Sequence, residues 1–291
     1  MDSRSRGHVV AAISRPALVV TLSLLAALGT AEAGSGAAAI QVAPGAIVRW
    51  SSPGTTDCGM GGATWEPVGN TCWYPIDLLA PQGRLTLKRR VSGVAQEATV
   101  RVGPYAYPVQ RLEVAPDMVI PPQAEVERIQ RERRRVVALW RSQRPRGFSL
   151  PLGPPLDPLP KAGGFGSRRI LNGEPRSPHS GIDLAAPPGA TVHAAATGTV
   201  VLADDLYFSG NSVFIDHGDQ LVTMYFHLAA IAVAPGAEVA RGDPVGTVGE
   251  TGRATGPHLH FGIRWHGARV DPSLLLEDPS LVPQIQGVSP D

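Results

Sequence analysis

His258-Leu-His260-Phe-Gly-Ile-Arg-Trp265 is the stretch whose reading decides the fold. Successive side chains on a strand point to opposite faces, so an even offset keeps His258 and His260 on one face. A second piece, His179-Ser-Gly-Ile-Asp183, has the same property, its His and Asp being four positions apart. Asp183 and His258 are 75 positions apart, so only the tertiary fold can join the two pieces. Together they read as two halves of one zinc site. Two imidazoles, a third imidazole or carboxylate and an open fourth position make a catalytic zinc centre, whereas structural sites are closed by four ligands and rich in Cys. The chain's two cysteines, Cys58 and Cys72, lie far from both pieces, which argues against a closed thiolate site.

Working outward, the chain after Phe165 is dense in Gly and β-branched residues. Residues 191–201, 212–215, 221–226, 245–248 and 258–265 are strand candidates, separated by turn signals such as Asn172-Gly173, Gly210-Asn211 and Pro235-Gly236. No helical stretch of usable length follows Arg144, so the C-terminal domain is expected to be an antiparallel β-sheet. With 33 Gly, 28 Pro and 5% aromatic residues, the composition as a whole reads as mostly β and loop-rich.

Upstream, residues 34–115 read as a small N-terminal β domain with strands at 46–50, 84–88 and 98–102. An exported protein meets oxidising conditions, and the even Cys count fits a Cys58–Cys72 disulfide tying down the Gly-rich 57–73 loop. Residues 116–147 read as a linker with a helix over 121–144. Pro122 suits its first turn, Val126, Ile129, Val136, Val137 and Trp140 share one face, and Pro145 ends it. Its arginines read as a solvated face. The remainder spans 148–291 and begins with a Pro- and Leu-rich extended lead-in. Residues 1–33 carry Arg4, Arg6 and Arg15, an apolar run over 17–29 and Ala31-Glu-Ala33, the pattern of a cleaved signal peptide. No other segment reads as membrane-spanning. A formal net charge of +1 argues against whole-surface recognition of a strongly charged partner such as nucleic acid.

A zinc hydrolase also needs a base for the water proton and a donor for the oxyanion. The chain has no His-Glu-x-x-His motif, so the Glu base of that metalloprotease class is absent, and histidines are the natural candidates. His227, at a strand end in Met224-Tyr-Phe-His227-Leu, and His258 stand beyond the ligand set. His217 reads as structural, His193 and His266 as surface residues, and Asp216 and Asp243 as turn caps rather than ligands.

These residues carry a family resemblance. Phe165-Gly-Ser-Arg-Arg169, His179-Ser-Gly-Ile-Asp183-Leu-Ala, Val213-Phe-Ile-Asp-His-Gly218, Tyr225-Phe-His227-Leu, Val239-Ala-Arg-Gly-Asp-Pro-Val-Gly246 and Thr251-Gly-Arg-Ala-Thr-Gly-Pro-His258-Leu-His260-Phe resemble, in order and spacing, the catalytic domain of the M23 (lysostaphin- or LytM-type) zinc peptidases of peptidoglycan. The resemblance covers somewhat over a third of the chain. It implies that His179, Asp183 and His260 bind one zinc per chain. It also implies that His227 and His258 flank the attacking water as general base and transition-state stabiliser, with the two roles undivided. Arg168 and Asn172 would lie near the substrate groove. The implied substrate is a peptide bond in peptidoglycan stems or crosslinks, and the implied location is the periplasm or the cell exterior. No wall-binding module is visible after Pro272, which leans toward direct D-amino-acid crosslinks. Two alternatives stand beside this: a non-catalytic envelope protein that binds peptidoglycan and regulates an amidase, and a peptidase held inactive by its own N-terminal half. A biotin- or lipoyl-carrier reading fails because Lys88 and Lys161, the only lysines, lie outside the β texture of residues 192–249.

Overall fold

Two β regions, each with a core of its own, share a ribbon that is apolar on both faces. The computed structural model describes residues 40–140 and 143–286, so the expected signal peptide at 1–33 lies outside the described residues. Ile47–Ser51 pairs antiparallel with Thr71–Pro75 to form the ribbon. Its even positions, Val48, Trp50, Cys72 and Tyr74, are buried in the N-terminal core with Leu87 and Val100. Its odd positions Ile47 and Trp73 are buried in the C-terminal core, where Trp73 lies 6.3 Å from Trp265. Alternation along a strand puts the two sets on opposite faces, and burying both fastens one region to the other.

The N-terminal sheet runs Ile40–Val42, Val94–Val102, Gly83–Val91, Thr55–Met60, Ala63–Trp65, and all but the first pairing are antiparallel. The expected strands at 46–50, 84–88 and 98–102 are present. The 57–73 stretch, expected as a loop, is largely strand: the hairpin Thr55–Met60 and Ala63–Trp65 turns at Gly61 and Gly62, which adopt positive φ. A disulfide joins Cys58 of that hairpin to Cys72 of the ribbon. Closing a loop of this size contributes about 3 kcal/mol in the chain-entropy account.

The helix covers Gln123–Leu139, shorter than the 121–144 expected. It stops at Trp140, which packs on Phe214 while the Arg264 guanidinium lies 4.6 Å over its ring. Tertiary packing of that indole decides the end of the helix ahead of Pro145. Val136 and Leu139 join the same apolar cluster, whereas Val137 faces solvent. Arg128 and Arg135 pair with Asp205 and Asp204 of the neighbouring strand, so part of the basic face docks the helix. Among the described residues no helix is long and apolar enough to cross a membrane.

The C-terminal sheet is antiparallel throughout. Its order is Gly181–Ala185, His258–Trp265, Leu221–Ile231, Gly210–Asp216, Gly198–Leu206, Glu238–Val239, with Thr191–His193 and Pro244–Val248 paired beside it. The expected 191–201 strand is therefore two strands, separated at the buried Ala194-Ala-Ala196. Asp216 and Asp243 cap turns as expected, accepting from the Gly218 and Ala240 amides. The 148–160 lead-in is extended but not peripheral: Phe148, Leu152 and Leu156 are buried in the C-terminal core. A small third sheet pairs Val109–Leu112 parallel to Arg168–Leu171, with Glu174–Arg176 on its other side.

Candidate metal centre and active site

Three neighbouring strands carry the site. Gly181–Ala185 pairs with His258–Trp265 so that Asp183 sits opposite His260, and Leu221–Ile231 brings Phe226 opposite His260 from the other side. Paired residues project to the same face. The Phe226 ring accordingly stacks on His260, 5.2 Å away and 4° from parallel.

His179 is not on the strand with Asp183, contrary to the strand-compatible spacing, because the strand begins at Gly181. It sits two residues ahead, where its amide donates to Ser167 O and its carbonyl accepts from Gly166 N. Packing of the 163–167 segment thus aims His179, not strand alternation. Space for the imidazoles depends on two glycines. A Cβ at Gly181 would lie 2.6 Å from His260 Nε2 and 2.5 Å from Phe261 O. One at Gly164, already at φ +88°, would lie 2.8 Å from His179 Nδ1.

Three ligand atoms then converge. His179 Nε2 lies 2.7 Å from His260 Nδ1, and each lies 3.0 Å from Asp183 Oδ1. His179 and His260 are 2% and 7% exposed. Burial alone would raise the Asp183 carboxyl, but hydrogen bonds from His179 and His260 hold it far below the usual carboxylate range. Burial also pushes the His260 imidazole down to about 3, so the ring is neutral. The donor set of two imidazole nitrogens and one carboxylate oxygen suits zinc with a position left open. A further observation supports the fit. His179 Nδ1 is buried without a hydrogen-bond partner, so the ring's committed atom is Nε2, which faces the cluster. The three residues that the sequence reading expects as ligands are thus brought together.

His227 and His258 stand beside this cluster, with ring centroids 4.9 Å apart. His258 Nε2 is 3.6 Å from Asp183 Oδ1. Strand parity would put His227 on the face opposite Phe226 and His260. Its φ of +65° breaks the alternation and turns its ring toward His258 and His260. Each of the two rings pairs Nδ1 with a backbone carbonyl, His227 with Thr251 O and His258 with Gly256 O, both at 2.8 Å. A carbonyl only accepts, so Nδ1 carries the proton and Nε2 is left as the acceptor in the neutral ring. Burial, opposed by the Thr251 bond, brings His227 down to about 4 and keeps it neutral near pH 7.

Arg168 and Asn172, expected near the groove, are engaged elsewhere. Arg168 donates to Tyr105 O and lies over the Tyr105 ring. Asn172 makes a two-bond clasp with the Val114 main chain. Strand alternation explains the displacement: Arg169, one position on, faces the site and donates to Asp183 Oδ2 at 3.2 Å. The doublet Arg168-Arg169 was a visible signal, but nothing local says which member faces inward. His266, expected at the surface, is instead stacked between Trp65 and Trp265. Burial, and secondly Arg146, hold it down to about 4. His217 is structural, as expected, and His193 donates to or accepts at no ligand atom of the site but pairs with Gly242 O.

A cleft of 220 Å³ opens over the cluster, lined by Arg169, Phe208, Phe226, His227, Arg253 and His260 among others. Phe208 and Arg253 enter from turns far apart in sequence and were not singled out beforehand.

Residues 177–272 match the family model described as Peptidase family M23. The peptidoglycan DD-endopeptidase ShyA of Vibrio cholerae is 42% identical over 95 residues, covering 33% of this chain and 22% of that protein. The DD-carboxypeptidase/endopeptidase Mpg of Neisseria meningitidis is 44% identical over 104 residues, covering 35% and 24%. The chain thus spans less than a quarter of the length of these curated relatives. A solved structure of a candidate M23 peptidase from Pseudomonas aeruginosa superposes with a TM-score of 0.61 at 30% identity, covering 80% of this chain and 94% of that one.

Proposed function

Because the chain belongs to peptidase family M23, we propose that it is a zinc-dependent endopeptidase cutting peptide bonds in peptidoglycan stems or crosslinks, exported to the cell envelope. The observation that carries this reading is the convergence of His179 Nε2, Asp183 Oδ1 and His260 Nδ1 within 3.0 Å beside two more imidazoles whose Nδ1 atoms are held by backbone carbonyls. Peptidoglycan as substrate is carried over from the name of the ShyA relative.

In this reading His179, Asp183 and His260 hold the metal, which supplies Lewis-acid polarisation of the scissile carbonyl. The remaining work falls to the chain's own groups. Thr251 O and Gly256 O fix the Nδ1–H tautomer of His227 and His258, so each Nε2 lone pair is ready to take the proton of the attacking water. The imidazole that takes it becomes a donor able to steady the oxyanion and then protonate the departing amine. Phe226, flat on His260, covers one side of that ligand and keeps water from its ring.

The test is a muropeptide profile of purified sacculi incubated with the zinc-loaded protein, with His258→Ala alongside. Conversion of crosslinked dimers to monomers by the intact protein, and none by a variant that still binds zinc, is expected. Full conversion by His258→Ala would sink the mechanism. Stoichiometric zinc without any conversion by the intact protein would sink the endopeptidase reading itself.

A further inference from the structure

The cleft beside the metal cluster has more positive charge than its own acids can match. Arg169 and Arg253 line it from a strand and a turn, and Arg176, on a second strand, directly precedes the lining residue Ser177. Arg169 has Asp183, a carboxylate that also faces His179 and His260. Arg176 has Glu174 at 3.8 Å, whose side chain is 59% exposed. Among the described residues no carboxylate lies within ion-pair distance of Arg253. Its guanidinium is half-buried, 4.7 Å over the Phe208 ring, and only Nη1 has a hydrogen-bond partner, Met118 O at 3.2 Å. The next carbonyl, Val119 O, accepts from Arg176 Nη2 at 2.9 Å. Two successive carbonyls at the end of the turn that begins at Pro116 therefore hold the two guanidinium groups. The main-chain amide of Arg253 bonds Phe208 O at 2.8 Å, which fixes the arginine's base as well as its tip.

A half-buried cation without a counter-charge is costly, and a ligand anion relieves that cost. Arg253 keeps its Nε and Nη2 donors, the edge that meets a planar carboxylate with two parallel hydrogen bonds. Binding of a cation at His179, Asp183 and His260 would engage Asp183 and leave the arginines with still less compensation. We propose that Arg253, supported by Arg176, is a subsite for a peptide carboxylate, and that this protein selects substrates carrying a free carboxylate beside the bond cut. The proposal rests on the peptidase reading above and adds the class of substrate.

The carboxylate can be the terminal one or a side-chain one, and the test separates them. A stem peptide with a D-alanyl bond is made in four forms: both carboxylates free, the terminal one amidated, the side-chain one amidated, and both amidated. KM and kcat are measured with the zinc-loaded full chain, and binding to the metal-free protein is measured by calorimetry. Amidating one particular carboxylate is expected to raise KM about tenfold or more, the scale of a charge-assisted hydrogen bond. Arg253→Gln, which keeps a donor for Met118 O, should erase that discrimination, and Arg253→Lys should retain part of it, having charge without the fork. Arg84→Gln, a remote exposed substitution, should keep the wild-type ratio. Equal handling of all four forms by the wild type, or wild-type discrimination surviving in a folded Arg253→Gln, overturns the subsite. If no form is cut, yet the free acid binds more tightly than the amide and Arg253→Gln removes the difference, the subsite stands and the hydrolytic reading falls.

Discussion

The strand end at His217 and the strand kink at His227 hold two imidazoles that burial treats almost alike. They are 1% and 8% exposed, and burial brings each down to about 4. They differ in what is left over. His217 donates Nδ1–H to Thr197 O and uses Nε2 on Thr223 Oγ1, which pairs with the Tyr225 hydroxyl, which in turn accepts Ala195 N–H. Both nitrogens are committed, and the ring is a fastener in the core. His227 commits only Nδ1 and adopts a left-handed φ to bring its ring beside His258. Burial and a depressed pKa therefore do not mark a working histidine. What separates His227 from His217 is its place: its ring lies beside His258 and His260, with Nδ1 alone engaged.

The comparison can be broken most directly by truncating each ring. His227→Ala is expected to lower sacculus hydrolysis by about 100- to 10,000-fold, the range of a lost general acid–base group, while the thermal midpoint hardly moves. His217→Ala should do the reverse, losing about 3 kcal/mol of stability because Thr197 O, Thr223 and Tyr225 are left short of partners in the core. Parallel melts and hydrolysis assays decide. A His217→Ala protein that stays stable but loses activity would erase the distinction.

A titration sharpens it. The folded His217 stays neutral down to about pH 4, whereas the unfolded ring takes a proton near 6.5. Its contribution is complete above pH 6.5 and is lost as pH falls toward 4, because only the unfolded state gains the proton in that window. The single ring accounts for about 3 kcal/mol over the window, an order-of-magnitude figure. Urea midpoints measured across it should fall more steeply for the wild type than for His217→Gln. Equal slopes would show that His217 is not the group titrating.

The smallest expected effect concerns Arg169. Arg169→Gln removes the charge-assisted bond to Asp183 Oδ2 and should weaken zinc binding about tenfold, as loss of a contact that orients a ligand does. Competition against a chelator measures it. Unchanged affinity would make Arg169 a groove residue alone.

Much of the site was legible because its signals are local or repeated. The spacing within His258-Leu-His260 puts both rings on one strand face, and the structure keeps them there. The strand candidates after residue 190 are present, apart from 191–201, which is split in two, since alternation and turn glycines act over a few residues. What failed did so where tertiary contacts overrule period or parity. The helix ends at Trp140, whose indole packs on Phe214, and residues 57–73 are largely strand because Gly83–Val91 and Ile47–Ser51 pair with them.

The sequence by itself determined the five histidine and aspartate positions brought together at the site, the antiparallel character of the C-terminal sheet and the cysteine pair. Only the tertiary structure decided which of Arg168 and Arg169 faces Asp183, that His227 turns back to the face of His260, and that His266 lies between two tryptophans. It also decided that Arg253 reaches the cleft against a turn 135 residues upstream. The physical reason is range. Side-chain alternation and turn preference act through adjacent peptide units, whereas facing, kinking and burial are set by partners that the chain brings close only after it has folded.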